Sequence, residues 1–263
     1  MPKSNQSIDS VVETPVIDDL NLYGIHISAL TAQRIFLFCG QAHNGKSLLA
    51  GVLADIASLF DDPTVLSVDA EEGGNHSFAK ADKSVRKIQL TETSDYDSLV
   101  IALDETNKIK AAVDLPGGSV GSIRRAIVSS NLSTNNVEVI PAIVVGIREN
   151  SERVALDWIE LAIEMGVKKV YWIWNNQDFS QPDNRQLPKL PANAPAIVEI
   201  RIPALKPEIA RIIVSEGINP RKILAGEHKD RPELSNRNAI AGLGAWLTEI
   251  IRSARPLLDD LKK

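Results

Sequence analysis

The stretch Ile35-Phe36-Leu37-Phe38-Cys39-Gly40-Gln41-Ala42-His43-Asn44-Gly45-Lys46-Ser47-Leu48-Leu49 constrains this chain more than any other. A short apolar run ends in G-x-x-x-x-G-K-S, and apolar residues at helical spacing follow at once. This strand, loop and helix order is the setting in which the motif wraps a phosphate. Gly40 and Gly45 let the backbone turn tightly enough for successive N–H groups to face one anion. A helix beginning near Lys46 adds its positive dipole end at the same point. The motif therefore predicts a nucleotide-binding loop built from Gly40, Gln41, Ala42, His43, Asn44, Gly45, Lys46, Ser47 and Leu48. Lys46 is expected to reach the β- and γ-phosphates, and the Ser47 hydroxyl to ligate Mg²⁺. His43 occupies a variable position and is read as an outward side chain.

The rest of the chain alternates strand and helix patterns. Leu48, Leu49, Val52, Leu53, Ile56 and Leu59-Phe60 form the buried face of a helix that Asp61-Asp62-Pro63 stops. Strands are expected at 64–69, 85–90, 110–114, 137–145, 169–174 and 196–202. Helices are expected at 96–107, 119–130, 149–165, 207–215 and 236–261. Such alternation specifies an α/β fold with a mostly parallel β-sheet flanked by helices on both faces. At 263 residues, and without an internal repeat or linker, one P-loop NTPase domain over 34–263 is the simplest organisation. Residues 1–33 are polar and acidic and read as a flexible or loosely packed arm.

Composition narrows the function classes. No run of about 18 apolar residues is present, so no membrane span is expected, and the first residues lack the apolar core of a secretory signal. The expectation is a cytoplasmic protein. The one cysteine, Cys39, closes a buried strand and is read as a small core residue. A net charge of −5 argues against a whole-surface nucleic-acid binder but leaves a local basic patch open. The cations after Pro203 are interspersed with acids, the pattern of a solvated surface, and DNA stays open as a partner. His26 and His228 have no companions at metal-ligand spacing.

In a parallel sheet, ligands bind outside the carboxyl ends of the strands. Asp114 ends a small apolar strand and precedes Pro-Gly-Gly, the pattern of an aspartate that holds Mg²⁺, here through water. Gly118 is expected to offer its N–H to the γ-phosphate. Asp69 and Glu71 end the second strand as candidates to polarise the attacking water and assist the metal. Asn75 and His76 follow in a loop near that end. Asn175 closes its strand where it could read a base edge, and Pro203 and Leu205 could wall the base. Trp172 and Trp174 are read as core.

Taken in order, Gly40 to Ser47, Val68-Asp69-Ala70-Glu71, Val113-Asp114-Leu115-Pro116-Gly117-Gly118 and Asn175 give residues 34–260 a likeness: the chain resembles the ParA/MinD superfamily of P-loop ATPases. Trp172-Ile173-Trp174-Asn175 and Ile202-Pro203-Ala204-Leu205-Lys206-Pro207-Glu208 are similar to late strand ends of its plasmid-encoded TraL-like branch. The resemblance implies ATP and Mg²⁺, slow hydrolysis, and an ATP-dependent homodimer used as a switch with a protein partner in plasmid partition, mobilisation or conjugative transfer. Lys46, Ser47, Asp114 and Gly118 match family positions. Glu71 stands where the family has an aspartate, so its carboxylate is one methylene longer. Gln41 stands where the family has a signature lysine, and it brings no positive charge across a dimer. Three readings follow: a switch ATPase, a nucleotide-gated interaction module with negligible hydrolysis, and a ligase or kinase of the dethiobiotin synthetase type.

Overall fold

The computed structural model describes residues 33–60, 65–69, 86–87, 110–121, 123–124, 137–176, 184–216, 218–228 and 230–262. Among them, seven strands form one sheet: β1 (Gln33–Cys39), β2 (Val65–Asp69), β3 (Arg86–Lys87), β4 (Lys110–Asp114), β5 (Val137–Val145), β6 (Lys169–Asn175) and β7 (Ala196–Ile202). Their spatial order is β3-β2-β4-β1-β5-β6-β7, and every pairing is parallel. The expected α/β architecture is therefore present. β1 begins at Gln33, one residue before the boundary drawn from the sequence. The arm before it, the helix expected at 96–107, and Glu71, Asn75 and His76 lie outside the described residues.

Because both sheet faces are covered, the central strands read as continuous apolar runs. Alternation along each strand divides their side chains between two cores. On one face, Phe36, Phe38, Ala112, Ile140, Ala142, Val144, Tyr171, Ile173, Ile200 and Ile202 are buried under helices. These helices are α1 (Lys46–Phe60), α3 (Pro207–Glu216), α4 (Pro220–Leu224), α5 (Pro232–Ser235), α6 (Arg237–Ser253) and α7 (Arg255–Lys262). On the other, Ile35, Leu37, Cys39, Val113, Ile143, Trp172 and Trp174 pack with α2 (Ser151–Glu164), which contributes Ala155, Trp158, Ile159, Leu161 and Ala162. Those five recur at helical spacing, so one stripe of α2 faces this core, which Ile123, Leu187 and Leu190 also cover. Trp172 and Trp174 are fully buried, with ring centroids 5.4 Å apart in an edge-to-face arrangement.

The C-terminal region differs from its sequence reading. The helix expected over 236–261 is two helices, α6 and α7, broken at Ala254 (φ −90°, ψ 10°). Pro256 is the cause: it has no N–H to give to the preceding turn, its ring opposes continuation of α6, and it is accepted in the first turn of α7. The short α4 and α5 were not expected either. Each starts at a proline, and the Asn219 side chain caps α4 by accepting from Arg221 N at 2.9 Å. Arg221 also donates two hydrogen bonds to Asp55 of α1, at 2.8 and 2.9 Å. Along α6 and α7, Leu243, Ile250, Leu257 and Leu258 are buried, whereas Ile240 and Ile251 are exposed.

Candidate functional site

β1 lies between β4 and β5, so the loop leaving its carboxyl end is flanked by the carboxyl ends of both neighbours. Register places Phe38 beside Asp114 on one side and Cys39 beside Ile143 on the other. This is the switch point at which an open parallel sheet forms its ligand crevice. Residues 40–45 make a tight turn and Lys46 begins α1. Gly40 has φ +129° and Gly45 φ +81°, values that strain any other residue. A Cβ on Gly40 would collide with the Val144 carbonyl oxygen, and one on Gly45 with Asn175 Nδ2. His43 also adopts a left-handed conformation (φ +64°), and its side chain is exposed as expected.

Lys46 is 6% exposed, and its ammonium donates to the Gln41 carbonyl oxygen at 3.3 Å. The charge is thereby folded back over the loop. The first turn of α1 carries no carboxylate, so nothing there opposes an anion at its N-terminus. Ser47, the second residue of α1, is partly exposed.

Asp114 is 6% exposed at the end of β4 and shares sheet parity with Ala112, which places it on the face covered by α1. Asp69 pairs in register with Asp114 on the adjacent strand, so the two backbones reach the same level one strand spacing apart, about 4.8 Å. After Asp114 the chain turns toward the phosphate loop. Leu115 N donates to the Phe38 carbonyl at 3.0 Å, and a Cβ on Gly117 would fall 2.5 Å from Ala42 Cβ. Gly118 has φ +81° and open space where a Cβ would stand.

The side chain of Asn44 faces inward. It is fully buried, and its Nδ2 donates to Val144 O at 3.1 Å and to Ser151 Oγ at 2.7 Å. The same Ser151 hydroxyl accepts from Gly146 N at 2.9 Å. Asn175 joins this network: its Nδ2 donates to Asn44 O at 2.7 Å. The asparagine read as a base contact thus touches the phosphate loop directly. Pro203 is partly buried, and its carbonyl accepts from Trp246 Nε1 of α6 at 2.9 Å; Leu205 packs against the core on that side. Gln41 Nε2 donates to the Glu149 carbonyl at 3.1 Å, within its own chain.

Sequence reasoning passed over Ser151 and Arg185. Arg185 lies 4.7 Å from the Trp174 ring centroid and donates to the carbonyls of Gly146 and, at 3.4 Å, Asn175. Arg201 stands 5.6 Å from the same ring and donates to Arg185 O at 2.6 Å. The one available signal was Ser151 opening a helix after a strand, which reads equally well as a local cap.

Cys39 is fully buried with its Sγ 3.8 Å from Ala142 O. Burial pushes its thiol well above the ordinary range, partly offset by the Lys46 ammonium. It is a core residue, as expected. Among the described residues, no cluster of His, Cys, Asp and Glu is arranged to hold a metal by itself, and no helix is long and apolar enough to cross a membrane.

The residues fit a Mg-nucleotide. The close approaches at Gly40, Gly45 and Gly117 keep the cradle clear of side chains. Ser47 and Asp114 are the hard oxygen donors that Mg²⁺ accepts.

No family model matches the chain, and no curated protein is similar to it in sequence. Solved structures are similar in fold. The MinD cell division protein of Aquifex aeolicus superposes with a TM-score of 0.51 at 16% identity, over 87% of this chain and 98% of that one. A ParA family ATPase from Chlorobium tepidum TLS gives 0.48 at 16% identity, covering 82% and 98%. The MinC:MinD complex of Aquifex aeolicus gives 0.47 at 15% identity, covering 82% and 96%. At these identities the likeness is one of fold.

Proposed function

We propose that this chain is a Mg-dependent ATP-binding, slowly hydrolysing ATPase of the ParA/MinD type. It acts as a nucleotide switch in plasmid partition, mobilisation or conjugative transfer. The observation that carries nucleotide binding is the loop at residues 40–47, with its left-handed glycines, a buried Lys46 and Asp114 at the neighbouring strand end. Backbone N–H groups and Lys46 bind the phosphates. Ser47 and Asp114 would hold Mg²⁺, which supplies neutralisation of the phosphate charge. Gly118 has room to approach the γ-phosphate, Asp69 and Glu71 are assigned to orienting the attacking water, and Pro203 to bordering the base. The cellular process and the protein partner rest on the resemblance of 172–175 and 202–208 to the TraL-like branch.

One observation favours the second reading, a nucleotide-gated module with negligible hydrolysis. Gln41 is neutral, and its amide is engaged by Glu149 of its own chain, not extended outward. Phosphate release with Mg-ATP, read together with sedimentation mass, separates the two for wild type, Lys46→Ala and Glu71→Ala. The ATPase reading expects slow turnover lost in both variants, and an ATP-dependent dimer in the wild type. Binding of ATP without turnover above background would leave the gated module; no binding of ATP would refute both.

A further inference from the structure

The sequence places Asn175 as a base contact, yet its amide meets the backbone of the phosphate loop. We infer that Asn175 is a positioning residue for the phosphate loop, turning the Gly45 N–H toward the anion whatever base is attached. The inference rests on the proposed nucleotide site. Asn175 Nδ2 donates to Asn44 O at 2.7 Å from a residue that is 8% exposed. In a planar trans peptide, the carbonyl and the next N–H point in opposite directions. Holding the Asn44 carbonyl toward β6 therefore turns the Gly45 N–H the other way, into the hollow enclosed by the loop.

The contact is close enough that Gly45 can carry no side chain, because a Cβ there would meet Asn175 Nδ2. The other side of the same residue is also fixed: the Asn44 amide is pinned by Val144 O at 3.1 Å and Ser151 Oγ at 2.7 Å. With both its side chain and its carbonyl held, Asn44 cannot rotate its peptide without breaking buried hydrogen bonds. The N–H that follows is preorganised before any anion arrives. A donor that acted on the base alone would have no reason to approach this peptide.

The test titrates Mg-ATP, Mg-GTP and Mg-tripolyphosphate, the last having no base, into wild type and Asn175→Asp by calorimetry. Asn175→Asp keeps the shape but puts an acceptor against the Asn44 carbonyl. All three affinities are expected to fall by a common factor of about ten to a hundred. With tripolyphosphate, the Gly45 amide proton is expected to move downfield in wild-type NMR spectra and to lose that shift in the variant, while the Lys46 and Ser47 amides keep theirs. General damage to the fold would not single out Gly45. A fall for ATP with tripolyphosphate unchanged would overturn the inference and make Asn175 a base reader. If wild type binds none of the three, the nucleotide site itself is refuted. Should Asn175→Asp fail to fold, Asn175→Ser, whose hydroxyl is too short to reach Asn44, is carried through the same titrations.

Discussion

Ser151 is the residue whose removal discriminates best between a built phosphate loop and a loosely supported one. Its hydroxyl, 1% exposed with its residue, accepts from Asn44 Nδ2 at 2.7 Å and from Gly146 N at 2.9 Å. Ser151→Ala deletes one oxygen and deprives two buried donors of an acceptor. Each buried donor left unsatisfied costs about 1–3 kcal/mol. The Asn44 amide keeps its bond to Val144 O, so the lower part of that range applies to it. A total of about 3 kcal/mol follows, or a fall in Tm of about 6–12 °C for a domain of this size. Ser119→Ala is the matched control. Ser119 is also buried, but its Oγ makes no hydrogen bond among the described residues, so its loss should stay within about 0.5 kcal/mol. Intrinsic fluorescence reports the unfolding, since all four tryptophans are buried. If Ser151→Ala melts within 2 °C of wild type (a margin set below the smallest shift of about 6 °C), or Ser119→Ala falls as far, the network does not brace the loop.

Two further predictions use the same unfolding measurement. Gly40→Ala must place a Cβ against the Val144 carbonyl at φ +129°, whereas Gly118→Ala at φ +81° meets open space. The first should cost about 3 kcal/mol or more and abolish ATP binding, the second only about 1 kcal/mol; equal losses would refute the steric argument. The Cys39 thiol is raised by burial, so the unfolded chain ionises first, near pH 8.5. Its contribution is complete below that pH and is lost as pH rises toward the folded value, at up to about 1.4 kcal/mol per pH unit. Between about pH 7.5 and 9.5, wild type should therefore lose about 1 kcal/mol more stability than Cys39→Ala in urea unfolding, and equal losses would remove the assignment. Tyr171 is also raised, first by burial and then by its hydrogen bond to Asp260, but an ordinary tyrosine titrates only near pH 10, above this window.

Much of the fold was readable because its signals are local. The bounds of β4 and β5, and the end of β7 at Ile202, follow from apolar runs closed by Asp114, Gly146 and Pro203. A run buried on both faces needs no partner information to be recognised. The misreadings were local conflicts as well. Pro256 interrupts an apolar pattern that continues through it, and periodicity outweighed the missing N–H. Trp174 was placed in the core correctly. The Arg185 guanidinium above it belongs to a loop with no periodicity, where only coordinates show what a side chain meets.

Local signals in the sequence suffice to specify the phosphate loop and its helix. Gly40, Gly45, Lys46 and Ser47 act through backbone conformation and a helix end, properties set within a few residues of one another. The same signals specify too that a parallel sheet would present Asp69, Asp114 and Asn175 at its carboxyl edge. The contacts of Asn44 and Asn175 there come from long-range packing alone. Asn44 meets Ser151 across 107 residues, and Asn175 meets Asn44 across 131. Short-range spacing carries no information about such a meeting. It arises when the order of β1, β5 and β6 in the sheet brings three strand ends to one point, where the buried Nδ2 groups of Asn44 and Asn175 find acceptors.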